Sequence, residues 1–119
     1  MTLDQRLAAA GVSPAQVQVA WMKLALDFPQ DFGEFPAHAE FLKTDLETVV
    51  RIAKSRYPNL RIIYLSSRTG AYAEELDTLN PEPYAYESGF AVQWMVADQI
   101  NAVNNLNFDP AKGPVVAHI

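Results

Sequence analysis

Cysteine is absent from this 119-residue chain. That removes disulfides, thiolate metal sites and cysteine nucleophiles together. Histidine is scarce: His38 and His118 are the only two, and they lie too far apart for zinc-type spacing. Positive charge is also short, with 9 Lys and Arg against 14 Asp and Glu, a formal net charge of −5 and a pI near 4.8. The basic residues are scattered, which argues against a nucleic-acid backbone as partner. No apolar run approaches the roughly 20 residues of a membrane span. The start, Met1-Thr2-Leu3-Asp4-Gln5-Arg6, lacks the basic flank and apolar core of a signal peptide. The expected setting is therefore the cytosol, or an exported protein if the chain belongs to a longer precursor. Repeats and low-complexity tracts are missing too.

Half of the residues are apolar and 19% are charged, the composition of one small globular domain spanning 1–119, possibly a truncated one. Thr2 or Asp4 caps a short helix, Gln5 to Ala10, stopped by Gly11. After the Ser13-Pro14 turn, Gln16 to Met22 places Val17, Val19 and Trp21 on one face and reads as a strand. The competing reading is a helix that starts at Ser13-Pro14. Asp27 to Phe35 is a loop with three phenylalanines, which fits packing over a core or a partner. Pro36 opens the clearest helix, to about Ser55, with Leu42, Leu46, Val49, Val50, Ala53 and Tyr57 on one stripe. Lys43, Asp45, Glu47, Arg51 and Lys54 take the rest, and Glu47–Arg51 has favourable i,i+4 spacing.

Leu60 to Ser67 is the organising strand. Its nearly unbroken apolar run predicts cover on both faces. Strand, amphipathic helix and buried strand together predict a right-handed βαβ unit with parallel strands. Glu74, Glu75 and Asp77 read as an exposed acidic turn, without metal-loop spacing. Gly89 to about Asn104 predicts a helix apolar almost all round, through Phe90, Val92, Trp94, Met95, Val96, Ile100 and Val103. Such a helix wants a partner on more than one side. Asn104-Asn105 and Asp109 to Pro114 read as a turn-rich linker, and Val115 to Ile119 as a last strand.

Tyr64-Leu65-Ser66-Ser67-Arg68 and the loop Asn80-Pro81-Glu82-Pro83-Tyr84-Ala85-Tyr86-Glu87-Ser88-Gly89-Phe90 resemble segments of SGNH/GDSL-hydrolase-like bacterial proteins. The Ala9-to-Val19 segment and Ser55-Arg56-Tyr57-Pro58-Asn59-Leu60 are similar as well. The resemblance covers most of the chain but only the middle of such a protein. It implies α/β architecture: a short parallel sheet flanked by helices, part of a flavodoxin-like (SGNH-hydrolase-like) three-layer fold. It also implies serine-hydrolase chemistry in the family at large. The family's Gly-Asp-Ser and Asp-x-x-His blocks do not occur here, so no catalytic residue transfers by motif.

A buried strand that ends in small hydroxyls and an arginine is where open α/β folds hold ligands. Ser66 and Ser67 are the candidate nucleophiles, with His118 at the end of the last strand as base; Ser88 and His38 are the remaining serine and imidazole to consider. The plainer alternative is that the two serines end the strand by bonding nearby backbone. A second constellation, Arg68, Tyr84, Tyr86 and Glu87 with Lys23 on the same rim, suits a carboxylate or sugar. Its plainer alternative is an internal Arg68–Glu87 ion pair with tyrosines over the core. Neither a metal nor a cofactor is implied. Three functions follow: a non-catalytic remnant that self-associates through helix 89–104 or open sheet edges, an esterase of small esters or acyl-sugars, and a small-molecule binding module.

Overall fold

A computed structural model describes residues 1–67, 79–103, 106 and 115–118, the last four as backbone only. Its elements are α1 (Leu3–Ala9), β1 (Val19–Lys23), α2 (Ala37–Arg56), β2 (Ile62–Ser66), α3 (Tyr84–Glu87), α4 (Gly89–Ile100) and β3 (Val115–His118), with 3-10 turns at Pro14–Gln16 and Pro29–Phe32. The expected acidic turn at Glu74, Glu75 and Asp77, the linker at 104–105 and 109–114, and Arg68 lie outside the described residues.

The strands form one sheet in the order β1-β2-β3. Both pairings are parallel, with register Val19↔Ile62 to Lys23↔Ser66 and Ile62↔Val115 to Leu65↔His118. The α/β class with a parallel sheet follows directly. Side chains alternate across a pleat, so Ala20 and Met22 share one face with Ile63 and Leu65. That face meets Leu42, Leu46, Val50 and Ala53 of α2 and Ala91, Val92 and Met95 of α4. Each fully buried Leu or Ile in such a core contributes about 1.5–3 kcal/mol of transfer free energy. The α2 stripe expected from periodicity is the one buried, with Val49 only half-covered.

Among the described residues, β2 is fully buried on one face only. Buried and half-buried residues alternate along the strand. On the second face Trp21 is 64% and Val19 54% exposed, beside the half-buried Ile62, Tyr64 and Ser66. An unbroken apolar run records strand propensity as well as burial, and here propensity accounts for one face. Among the described residues, helices α2 and α4 lie on the first face.

Local chemistry sets the joints. Thr2 and Gln5 form a capping box on α1. The Tyr57 hydroxyl donates to Asp4 Oδ1 at 2.9 Å, tying α1 to the end of α2. Lys54 Nζ donates to the carbonyls of Pro58 and Leu60 at 3.0 and 2.8 Å. A cation there satisfies two carbonyls of the segment just past the helix end, and so aims the chain into β2. The last long helix stops at Ile100, not Asn104, where Asn101 Nδ2 donates back to Ala97 O at 2.9 Å.

Glu47 departs from its expected place on the solvent side. It is 5% exposed and faces Asp98 of α4, while Lys43 Nζ donates to Asp98 Oδ2 at 2.9 Å and Arg51 stands 3.6 Å from Glu47 Oε2. Burial, then the hydrogen bond with Asp98, pushes the Glu47 carboxyl above its ordinary value. Asp98 is itself pushed up by burial, but hydrogen bonds from Glu47 and Lys43 outweigh this and hold it below its ordinary value. Across the helix interface Glu47 therefore favours its protonated form and Asp98 its ionised form.

The sign of the pH dependence follows. The folded chain keeps the Glu47 proton at pH values where the unfolded chain has released it. Stability from this group is present below the ordinary value of 4.5 and is lost as pH rises through the raised value. Glu47→Gln keeps a donor toward Asp98 and cannot ionise. Its melting temperature should match the parent in acid and exceed it increasingly toward neutral pH. A gap that stays constant across the titration would show that folding does not raise the Glu47 carboxyl.

Candidate functional site

At the carboxyl end of the sheet two loops meet: one runs from β1 into α2, the other reaches α3. Phe28 N donates to Leu79 O at 2.7 Å, and the buried Asn80 donates from Nδ2 to Leu26 O at 2.9 Å. Phe28 takes a left-handed backbone, φ 52 and ψ 58, which is costly for a bulky side chain and persists only where surroundings dictate it. Gly33 has φ 95, a conformation open to glycine. A Cβ added there would also come within 3.2 Å of Ala37 Cβ. That turn carries Glu34 and Phe35 to face the second loop.

Between the loops lies a crevice of about 340 Å³ lined by Glu34, Phe35, Pro83, Tyr84 and Glu87. The Phe35–Pro36 and Glu82–Pro83 peptide bonds on its two sides are cis. His38, in the first turn of α2 and 1% exposed, donates from Nε2 to Glu87 Oε2 at 2.7 Å. A carboxylate only accepts, so Nε2 carries the hydrogen. The Tyr84 ring meets the imidazole edge-on, with centroids 4.9 Å apart. A hydrogen bond between buried imidazole and half-buried carboxylate is stronger than its surface equivalent. It fixes Glu87 Oε2 from behind and leaves the carboxylate on the crevice wall.

Aromatic side chains extend outward from the crevice. Phe35, 43% exposed, lies 5.2 Å from Phe90 and 5.9 Å from Trp94 between ring centroids. Tyr86 stands edge-on to Phe90 at 6.5 Å, and Phe32 stacks on Phe41 at 4.2 Å. The phenylalanine-rich loop thus packs on α2 and α4 and stays partly open to solvent.

The residues singled out in the sequence distribute as follows. Tyr84 and Glu87 line the crevice together. Tyr86 is exposed on its rim side and is not among the lining residues. Lys23, exposed, ends β1 in register with Ser66, away from the crevice lining. Ser66 and Ser67 are half-buried at the end of β2. The β3 register sets the His118 backbone beside Leu65, next to Ser66. Among the described residues Glu87 pairs with His38; the expected partner Arg68 is outside them. Ser88, the other serine considered, is buried with its hydroxyl donating to Ala85 O at 2.6 Å. Glu34, Phe35 and Pro83 are additions, and His38, considered only as an alternative imidazole, serves here as the partner of Glu87. The signal for them was a glycine and a proline bracketing Glu34-Phe35, and a second pair of prolines just before Tyr84.

Neither family models, nor curated proteins, nor solved structures match the chain. Among the described residues no helix is long and apolar enough to cross a membrane.

The His38–Glu87 bond has a measurable weight. His38→Ala removes a buried ring and a charge-assisted hydrogen bond, and should cost about 2–4 kcal/mol in urea unfolding. Glu87→Gln retains an oxygen that accepts from Nε2 and should cost under about 1 kcal/mol. Equal costs for the two would mean that the charge of Glu87, and not the geometry of the pair, holds the loops together.

Proposed function

We propose that this chain is a small-molecule binding module whose ligand sits in the crevice between Glu34-Phe35 and Pro83-Tyr84-Glu87. The observation that carries the reading is a concave site of about 340 Å³, at the carboxyl end of parallel strands, with a carboxylate held from behind by a buried histidine. Ligand sites of open α/β folds occupy that edge, and this one sets two carboxylates beside Phe35, Pro83 and Tyr84. Tyr84 and Glu87 belong to it and Tyr86 supplies an aromatic rim, whereas Lys23 is not among its lining residues and Arg68 lies outside the described residues.

Self-association is a second reading, favoured by the apolar face that Trp21 and Val19 expose. In a flavodoxin-like three-layer fold, as in the SGNH/GDSL-hydrolase-like proteins that the sequence resembles, a further layer of helices covers that face. A second copy serves the same purpose for a remnant of such a fold. The exposed Ile100 and Val103 offer a smaller apolar surface at the end of α4. An acyl hydrolase that uses Ser66 or Ser67 with His118 draws support only from the neighbouring strand positions of Ser66 and His118.

Thermal melting against amines, guanidines, carboxylates and sugars tests the first reading. At least one class should raise the melting temperature by about 2 °C or more at saturating concentration. Tyr84→Ala should abolish the gain while keeping a cooperative melt of its own. A flat response to every class removes the module.

Sedimentation tests the second. The parent should exceed monomer mass at roughly 100 µM, a modest affinity, and Trp21→Glu should return it to monomer. A parent that is monomeric there leaves the sheet face without a role in assembly.

A further inference from the structure

We propose that the crevice takes an organic cation, a guanidinium or primary ammonium group, gripped between Glu34 and Glu87 and flanked by Phe35 and Tyr84. The inference rests on the crevice being the ligand site and adds the chemistry of what enters it.

Charge is the first argument. Glu34 and Glu87 bring two carboxylates to the crevice, and among the described residues that line it there is no Lys or Arg. The whole chain adds a net charge of −5. An anion would meet two like charges at close range in a partly desolvated site, which costs more than its hydrogen bonds return.

The walls are the second argument. Phe35 and Tyr84 present π-systems on opposite loops, and aromatic rings attract cations electrostatically. Carboxylates with aromatic flanks recognise alkylammonium and guanidinium groups by that combination. The aromatic side chains stay accessible although apolar side chains this large tend to be buried: Phe35 and Tyr86 remain exposed. The third argument is the support of the acid. His38 cannot touch a ligand at 1% exposure, yet it engages one oxygen of Glu87 and leaves the carboxylate fixed in orientation. A pre-set acceptor loses less freedom on binding than a mobile surface glutamate.

A metal ion is the weaker occupant. Among the described residues no group of three or more His, Asp or Glu is placed to hold one, and two carboxylates with aromatic neighbours give an incomplete oxygen shell. The volume of about 340 Å³ lies at the small end of ligand sites, which suits a compact head group with a short body. The same head group occurs on a free amine and on an arginine or lysine side chain of a peptide.

Isothermal titration with the full chain separates these possibilities. The probes are agmatine, butylammonium, acetyl-Gly-Arg-Gly-amide, glucose and acetate, each on the parent, Glu34→Gln and Tyr84→Leu. Glu34 is exposed, so the Glu34→Gln chain folds, and its unliganded melt serves as the control. At least one cationic probe should bind at one per chain. Glu34→Gln should weaken it about tenfold or more, the scale of one charge-assisted hydrogen bond. Tyr84→Leu should weaken it by roughly threefold or more, and affinity should fall several-fold from about 0.05 to about 0.5 M sodium chloride. Tighter binding of the peptide than of agmatine assigns the cation to a protein partner, and the reverse assigns it to a free amine; both uphold the inference. Glucose or acetate bound equally by parent and Glu34→Gln, with no cationic probe bound, overturns the cation while the crevice stands. No binding by any probe overturns both.

Discussion

Ala20, Met22, Ile63 and Leu65 form a strip on one face of the sheet, and Leu42, Leu46 and Val50 of α2 settle onto it together with Val92 and Met95 of α4. This contact orders the rest of the molecule. Parallel strands cannot be joined by a tight turn, so α2 must run the length of the sheet and deliver the chain to the far end of β2. The Lys54 clamp on Pro58 and Leu60 fixes that delivery. With α2 seated, its first turn projects at the carboxyl edge of the strands, and His38 goes with it. The location of the crevice is thus a consequence of core packing.

The second constraint is polar. A buried imidazole and a carboxylate from a segment 49 residues away join two loops that otherwise meet through Phe28, Leu79, Asn80 and Leu26. A further polar seam, Lys43 and Glu47 against Asp98, holds α2 to α4. Each seam places charge in a partly desolvated setting, where a satisfied pair specifies geometry and an unsatisfied one is expensive. The molecule uses apolar packing to set distances and these seams to set registration between elements.

Much of the backbone could be read from the sequence. Period 3.6 in Leu42, Leu46, Val50 and Ala53 and the turn before Val17 each gave an element of the right kind, and the parallel arrangement followed from their order. What escaped has a common cause. Ile62 and Tyr64 have the same apolar character whether or not a helix covers them, so their half-exposed side was invisible. Glu47 sits one residue from the apolar stripe, and only the position of Asp98 on another helix decides that it is buried. Tyr84–Glu87 is a single helical turn hidden behind Pro81 and Pro83. Of the site, Tyr84 and Glu87 were identified for a carboxylate or sugar, in company with Arg68. The pairing with His38 depends on two loops converging, which no local pattern encodes.

The chain carries only two tryptophans, and the fold sends them to unlike places. Trp21 stands largely in water on the uncovered face of the sheet. Trp94 is half-buried against Phe35 and Phe90, one ring away from the crevice wall. Their fluorescence is therefore divided by location: the redder emission belongs to the open face, the bluer to the aromatic cluster. The protein contains its own pair of optical probes, each tuned to a different surface, and a spectral change at either wavelength names the surface that was touched.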